Sequence, residues 1–143
     1  MEQRLSLITL GVSDLKRARA FYDALGWKSA SEEHSEEVVA YNLQSMALCL
    51  YPLEMLSRDA GISCGPSGNS VFSIAHNVAS ELEVDQTLIE AERAGGKIIK
   101  PGHEVFWGGY VGYFADPDGH LWEVAYNPFF PLGPKGEFQW GEV

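Results

Sequence analysis

The sequence predicts an α+β fold made of two βαβββ modules, and three observations lead to this prediction. Segments with strand and helix character occur in the same order twice, near residues 5–51 and near residues 71–126. The two copies also carry similar residues at equivalent places, as expected of a duplicated unit. Finally, the segment between them, residues 53–69, contains the glycines and proline typical of a linker.

The first copy begins with a mostly apolar run at residues 5–12, whose β-branched side chains favour a strand. Ser13 or Asp14 can cap the helix that follows, and Gly26 stands where a helix commonly ends. We expect three further strands at residues 27–31, 38–43 and 46–51, followed by a short helical turn at residues 53–58.

The second copy repeats this order from residue 71. A strand at residues 71–78 leads to Ser80-Glu81-Leu82-Glu83, a capping box that predicts the start of a helix. Three strands are expected at residues 97–100, 110–115 and 121–126, with a type I turn at residues 116–119. The copies match in two triplets: Val39-Ala40-Tyr41 with Val111-Gly112-Tyr113, and Leu48-Cys49-Leu50 with Trp122-Glu123-Val124.

The charge of the chain excludes several classes of partner. Twenty acidic residues against 10 basic ones give a net charge of −10, which disfavours binding to nucleic acid or to an anionic membrane. No apolar run approaches the roughly 20 residues of a membrane helix, and residues 1–12 do not resemble a signal peptide. Two cysteines are too few for a disulfide framework. We therefore expect a single cytoplasmic domain over residues 1–143.

Two segments resemble the glyoxalase/bleomycin-resistance/dioxygenase superfamily, also called the vicinal oxygen chelate (VOC) superfamily. Residues 8–26 are similar to its first strand and helix, and residues 112–124, with Asp116-Pro117-Asp118-Gly119, are similar to its closing hairpin. The resemblance implies two βαβββ modules that form an eight-stranded open barrel, a small-molecule ligand and a homodimer. Its modules would span about residues 5–52 and 70–127, with the linker at 53–69 and an aromatic tail at 128–143.

The same resemblance implies four metal-ligand places, usually filled by His, Gln or Glu. They fall on Leu7, Cys49, Ser73 and Glu123, of which only Glu123 fits the pattern. None of the four histidines stands at an expected place. We therefore expect no metal and no other cofactor, with a divalent metal on a rearranged ligand set as the alternative.

A pocket for a small molecule is the expected functional site. Glu123 is the candidate catalytic residue, because a carboxylate among apolar neighbours can serve as a general acid or base; its alternative role is to contact water or a backbone group. For Cys49, the role of a small core residue is favoured over that of a nucleophile. The candidate pocket residues are Thr9, Tyr41, Cys49, Ser73, Trp107, Tyr113 and Glu123.

Three functions remain open on these residues. The first is small-molecule binding, or catalysis without a metal, in a protein of the bleomycin-resistance kind. The second is a metal-dependent lyase or isomerase of the glyoxalase type. The third is a non-catalytic module that assembles through its tail, which we expect to be ordered and to join a homodimer or close the pocket. The large apolar residues of the tail are Phe129, Phe130, Leu132, Phe138 and Trp140.

Overall fold

Three helices and seven strands form within the part of the chain that the structure, a computed structural model, describes: residue 3 and residues 6–31, 36–61 and 73–138. They fall into two compact units, Met1–Asn69 and Ser70–Val143, each with its own sheet. This is the predicted α+β fold. Within the described ranges, no helix is long and apolar enough to cross a membrane.

The first unit carries a three-stranded sheet and two helices. Its order along the chain is β1 (Leu7–Val12), α1 (Leu15–Ala24), β2 (Val39–Asn42), β3 (Ala47–Pro52) and α2 (Leu53–Ala60). Strand β3 lies in the middle, parallel to β1 and antiparallel to β2. The helical turn expected after β3 is thus a helix of two turns.

Helix α1 begins as the sequence predicts, because the carboxylate of Asp14 accepts a hydrogen bond from the Arg17 N–H at 3.0 Å. Its buried residues are Ala18, Phe21 and Tyr22. They pack against one face of the sheet and form an apolar core with it. Burying each large side chain stabilises the fold by about 1.5–3 kcal/mol. The sheet residues buried in this core are Leu10, Val12, Val39, Tyr41, Leu48 and Leu50.

The prediction of a strand at residues 27–31 is wrong, because these residues form an irregular segment beside β2. The Ala30 N–H donates to the Ala40 carbonyl at 2.7 Å. Beyond that point the hydroxyl of Ser31 replaces a backbone group: it accepts from the Ala40 N–H at 2.9 Å and donates to the Val38 carbonyl at 3.1 Å. A side chain that makes the bonds of a strand ladder ends the ladder.

The second unit repeats this arrangement with one more strand. Its elements are β4 (Ile74–Val78), α3 (Glu81–Arg93), β5 (Lys97–Glu104), β6 (Tyr110–Ala115) and β7 (Leu121–Tyr126), and the sheet order is β4-β7-β6-β5. As in the first unit, the first strand pairs in parallel with the last. Strand β5 is longer than predicted and shifts register twice along β6.

The predicted Ser80 cap and tight turn are both confirmed in this unit, although the Glu83 carboxylate is bonded at Ala79, one residue before the cap. Ser80 Oγ accepts from the Glu83 N–H at 3.2 Å, and the Glu83 carboxylate accepts from the Ala79 N–H at 2.9 Å. At the turn between β6 and β7, the Gly119 N–H donates to the Asp116 carbonyl at 2.9 Å. These two local structures fix where α3 begins and where β7 enters the sheet.

Helix α3 covers one face of the second sheet. Its buried residues are Val84, Leu88 and Ala91. Gly112 of β6 lies directly beneath it, because a Cβ atom at this glycine would stand 2.5 Å from Leu88 Cδ1. The opposite face of the sheet is therefore free of α3, and it carries the candidate site.

Candidate functional site

A pocket of about 520 Å³ lies in the second unit. This volume is within the range of about 300–1,000 Å³ that is usual for small-molecule sites. Strands β4 and β7, the β5–β6 loop and the segment after β7 all contribute to it. Its lining residues are Ala75, Asn77, Trp107, Glu123, Ala125, Asn127, Phe129, Phe130 and Phe138.

Strand pairing explains which side chains face the pocket. Gly112, which lies under α3, pairs with Val124, so Val124 also faces the helix. Successive side chains of a strand alternate between faces, and Glu123 and Ala125 therefore point away from α3. They pair with Ala75 and Asn77 of β4, and these four residues form the floor of the pocket.

Glu123 is held by Tyr113, its direct neighbour on β6. The Tyr113 hydroxyl donates to Glu123 Oε2 at 2.7 Å, the length of a strong hydrogen bond to a charged acceptor. This bond, together with burial, raises the pKa of Tyr113 to about 12. At neutral pH the phenol thus keeps its proton and fixes the orientation of the carboxylate. Two residues that the sequence marked as pocket candidates are thereby brought together.

Trp107 lies at the pocket because the β5–β6 loop is closed by two glycines. The Val105 N–H donates to the Gly109 carbonyl at 3.0 Å, and the Gly108 N–H donates to the Val105 carbonyl at 2.9 Å. Gly108 has φ +93°, a conformation that favours glycine. A Cβ at Gly109 would overlap the Trp107 ring. The indole therefore packs against the backbone at Gly109, with 38% of the residue exposed.

The tail forms the remaining wall of the pocket. Asn127 Oδ1 accepts from the Phe129 N–H at 2.9 Å. Farther along, the Gly133 N–H donates to the Glu137 carbonyl at 2.9 Å, which folds the chain back on itself. Phe129, Phe130 and Phe138 line the pocket in consequence. The described tail thus lies at the pocket, one of its two predicted destinations, while Trp140 lies outside the described residues.

The lining residues that the predicted pocket set did not include are Ala75, Asn77, Ala125, Asn127 and the three phenylalanines. The signal for Asn77 was present, because it is two residues beyond Ala75 on the same face of the strand. The aromatic spacing of the tail was also visible. What the sequence lacked was the fold-back at Gly133, which decides where those rings lie.

Other predicted site residues lie elsewhere in the structure. Ser73 is exposed, immediately before β4, and is not among the residues that line the pocket. Thr9 and Cys49 are register neighbours on β1 and β3 of the first unit. Thr9 is exposed, whereas Cys49 is half-buried, and burial raises the pKa of its thiol. A raised pKa lowers the fraction of the thiol that is present as the nucleophilic thiolate at neutral pH.

Tyr41 occupies a core position rather than a pocket position. Only 1% of it is exposed, and it pairs with Leu48 on the face that packs against α1. Its ring lies 5.8 Å from Tyr22 and 5.5 Å from Trp27, centroid to centroid. Its hydroxyl donates to Asp23 Oδ1 at 3.0 Å, and burial together with this carboxylate raises the pKa of the phenol well above its usual range.

The side chains at the four expected ligand places do not fit a divalent metal centre. Leu7 has no donor atom, Cys49 has a raised pKa, and Glu123 is bonded to Tyr113. Across the described ranges, no group of three or more His, Cys, Asp or Glu residues is arranged to hold a metal ion. Function without a metal stays a prediction that rests on this donor chemistry.

The histidines have other surroundings. His76 is exposed on the α3 side of β4; packing around its ring lowers its pKa, opposed by the charge of Glu83. His103 Nδ1 donates to the Pro101 carbonyl at 2.9 Å. His120 donates its backbone N–H to Asp116 Oδ1 at 2.9 Å. The fourth, His34, lies outside the described residues.

Comparison with known proteins places this geometry in a family context. Residues 4–124 match the family model of the Glyoxalase/Bleomycin resistance protein/Dioxygenase superfamily. A glyoxalase-related enzyme from Fulvimarina pelagi is 33% identical; the alignment covers 99% of this chain and 100% of that one, with a TM-score of 0.89. No curated protein matches the chain.

Two further structures are similar at lower identity. A glyoxalase/bleomycin resistance protein/dioxygenase family enzyme from Burkholderia phytofirmans PsJN is 21% identical over 85% of this chain and 96% of that one, with a TM-score of 0.73. A lactoylglutathione lyase from Agrobacterium tumefaciens is 24% identical over 89% of this chain and 96% of that one, with a TM-score of 0.68. These two similarities concern the fold.

Proposed function

We propose that this chain, which belongs to the glyoxalase/bleomycin resistance protein/dioxygenase superfamily, binds a small, largely apolar molecule without the aid of a metal. The observation that carries the proposal is the pocket of the second unit, where four aromatic rings and one oriented carboxylate surround the same cavity. It acts as a binding protein or as an enzyme that needs no metal.

The lining of the pocket has the composition of a ligand site. Trp107 and the three phenylalanines offer apolar surface, and removing such surface from water favours binding by about 25 cal/mol per Å². Asn77, Asn127 and Glu123 supply the few polar atoms that would fix the orientation of a ligand. Phe129 and Trp107 are partly exposed without a ligand, at 65% and 38%. A bound molecule would cover them.

A catalytic form of the proposal assigns the proton transfer to Glu123. Its Oε2 is bonded to Tyr113, which leaves Oε1 to accept a proton from a molecule in the pocket. The Tyr113 hydroxyl would stabilise the carboxylate before the transfer and remain its partner afterwards. The similarity to the Fulvimarina pelagi protein, a glyoxalase-related enzyme, supports this form.

A metal-dependent lyase or isomerase of the glyoxalase type is the second candidate. It is favoured by the similarity to the Agrobacterium tumefaciens lactoylglutathione lyase. However, Leu7 supplies no donor at the first ligand place, so this function requires a rearranged ligand set. Metal analysis of dialysed protein separates the candidates: far less than one equivalent of Zn, Ni, Mn, Fe or Co per chain supports ours, and stoichiometric metal supports the other.

Binding of a neutral fluorescent probe, N-phenyl-1-naphthylamine, tests the main proposal. We expect its emission to rise on binding the full chain, and we expect Trp107→Ala to weaken that binding about tenfold, because an aromatic wall is lost. Phe106→Ala is the matched control, since Phe106 is adjacent, fully exposed and not part of the lining. Absence of binding, or equal loss in both variants, would contradict the proposal.

We further propose that the protein is a cytoplasmic homodimer. Members of this superfamily often form pairs, and Phe106 is a large apolar side chain that is fully exposed in the single chain. Light scattering coupled to size exclusion tests the assembly: a mass of two chains supports it, and a mass of one chain contradicts it.

A further inference from the structure

The charge inside the pocket is unbalanced. Among the described residues that line it, Glu123 is the single charged group, and Asn77, Asn127 and Trp107 are the other residues whose side chains can form hydrogen bonds. Lys100 of β5 pairs with Tyr113 of β6, which in turn pairs with Glu123 of β7, so Lys100 lies two strands from Glu123. Two strand spacings separate the two backbones by about 10 Å, and the exposed Lys100 is not among the residues that line the pocket.

Glu123 is arranged to receive a donor from the ligand. One of its oxygens accepts the Tyr113 hydrogen bond at 2.7 Å, and this bond holds the carboxylate in one orientation. A carboxylate has only acceptor sites, and an ionised donor gives it the strongest hydrogen bond. The ligand group that best complements Glu123 is therefore a cation rather than a second acid.

The walls favour the same chemistry. Trp107 and the phenylalanines Phe129, Phe130 and Phe138 present rings to the cavity. The faces of such rings attract cations within about 6 Å and also stack on flat apolar bodies. The net charge of −10 adds a general preference for cations over anions.

From this combination we propose that the ligand is an organic cation, with a flat apolar body between the rings and a protonated amine on Glu123. The inference rests on the proposed binding function and adds the ligand class to it. It disfavours acidic molecules as substrates of this pocket, because their anionic end would meet the Glu123 carboxylate without a compensating cation in the lining.

Three probes with the same ring system test the ligand class: 2-(2-naphthyl)ethylamine, 2-(2-naphthyl)ethanol and 3-(2-naphthyl)propanoate. Calorimetric titration of the full chain should give an affinity for the amine about tenfold above that for the alcohol, as expected for a charge-assisted hydrogen bond. The propanoate should bind most weakly. Raising the salt concentration from about 50 to about 500 mM should weaken the binding of the amine and leave the affinity for the alcohol unchanged.

Glu123→Gln should remove the preference for the amine and leave the affinity of the alcohol within about twofold, since only the charge is lost. Glu104→Gln is the matched control: it removes the same charge from an exposed residue of β5 that does not line the pocket. It should leave the preference intact.

Equal affinity for the amine and the alcohol would overturn the inference while leaving the binding function in place. The same conclusion would follow if Glu123→Gln kept the preference. If none of the probes, including N-phenyl-1-naphthylamine, bound the full chain, the binding function itself would be contradicted, and the ligand class with it. If Glu123→Gln fails to fold, the affinities of the amine, the alcohol and the propanoate for the unmodified protein still test the ligand class.

Discussion

Tyr41 and Tyr113 lie on the middle of equivalent strands in the two units, yet they face opposite sides of their sheets. Tyr41 pairs with Leu48 and is buried against α1, whereas Tyr113 pairs with Glu123 on the side away from α3. If the parallel pairing Thr9–Cys49 is matched to Ala75–Glu123, then Ala40, not Tyr41, is the structural counterpart of Tyr113. A shift of one residue along a strand thus separates a core tyrosine from a site tyrosine.

The largest expected difference between the two tyrosines concerns stability. Tyr41→Ala removes a fully buried ring and its bond to Asp23, and should lower the free energy of unfolding by about 3–5 kcal/mol. Tyr113→Ala should cost less than half as much, because its side chain is only half-buried. Urea denaturation followed by circular dichroism measures both. Equal losses would mean that the two residues share one structural role.

A second prediction concerns Gly112, the residue of β6 that lies beneath α3. Gly112 occupies the place equivalent to Val39, and its neighbours leave no room for a side chain: a Cβ would stand 2.5 Å from Leu88 Cδ1 and 3.1 Å from the Gly102 nitrogen. Gly112→Ala should therefore destabilise the fold by about 1–3 kcal/mol through overpacking. Val111→Ala, one residue away on the other face, provides the comparison. A neutral Gly112→Ala would show that the assigned register is wrong.

Much of the fold could be predicted because its determinants are local. The strands Tyr110–Ala115 and Leu121–Tyr126, the Ser80 cap and the turn at Asp116 occur as the sequence indicates. The segment at residues 27–31 could not be predicted as irregular, because the Ser31 hydroxyl makes bonds to β2 that no periodicity reveals.

The site was predictable in part, for the same reason. Alternation along β7 identifies Glu123, and the two glycines mark Trp107. The position of Tyr41 was misjudged because residues were matched by identity, and two tyrosines aligned although strand pairing sets them one residue apart. The tail rings depend on contacts between residues distant in sequence, such as that of Phe129 with Gly108, which only the folded chain displays.

A third prediction addresses the Tyr113–Glu123 bond through its pH dependence. Because the fold raises the pKa of Tyr113 from 10.0 to about 12, the folded state favours the protonated phenol. The resulting stabilisation is complete below pH 10.0 and is lost as the pH rises towards about 12. Absorbance titration at alkaline pH should show late-ionising tyrosines that include Tyr41 and Tyr113, and Tyr113→Phe should remove the one with a pKa of about 12. An unchanged titration curve in Tyr113→Phe would contradict the bond.

The smallest expected stability change lies outside the site, at the start of α3. Ser80→Ala removes the side chain that accepts the Glu83 N–H and should cost about 1 kcal/mol. Probe binding should be unaffected, because the cap lies on the helix and not on the pocket face. A loss of binding in Ser80→Ala would show that the pocket is more sensitive to α3 than its geometry indicates.

The central claim, that the second unit binds a small apolar molecule without a metal, is tested most directly by titration of chelator-treated protein. N-phenyl-1-naphthylamine and 2-(2-naphthyl)ethylamine should bind the metal-stripped full chain with the same affinity as the untreated chain. The thermal stability should also be unchanged, since no metal-binding energy is linked to folding. Binding that disappears on chelation and returns with one equivalent of a divalent ion would contradict the account and favour the metal-dependent alternative.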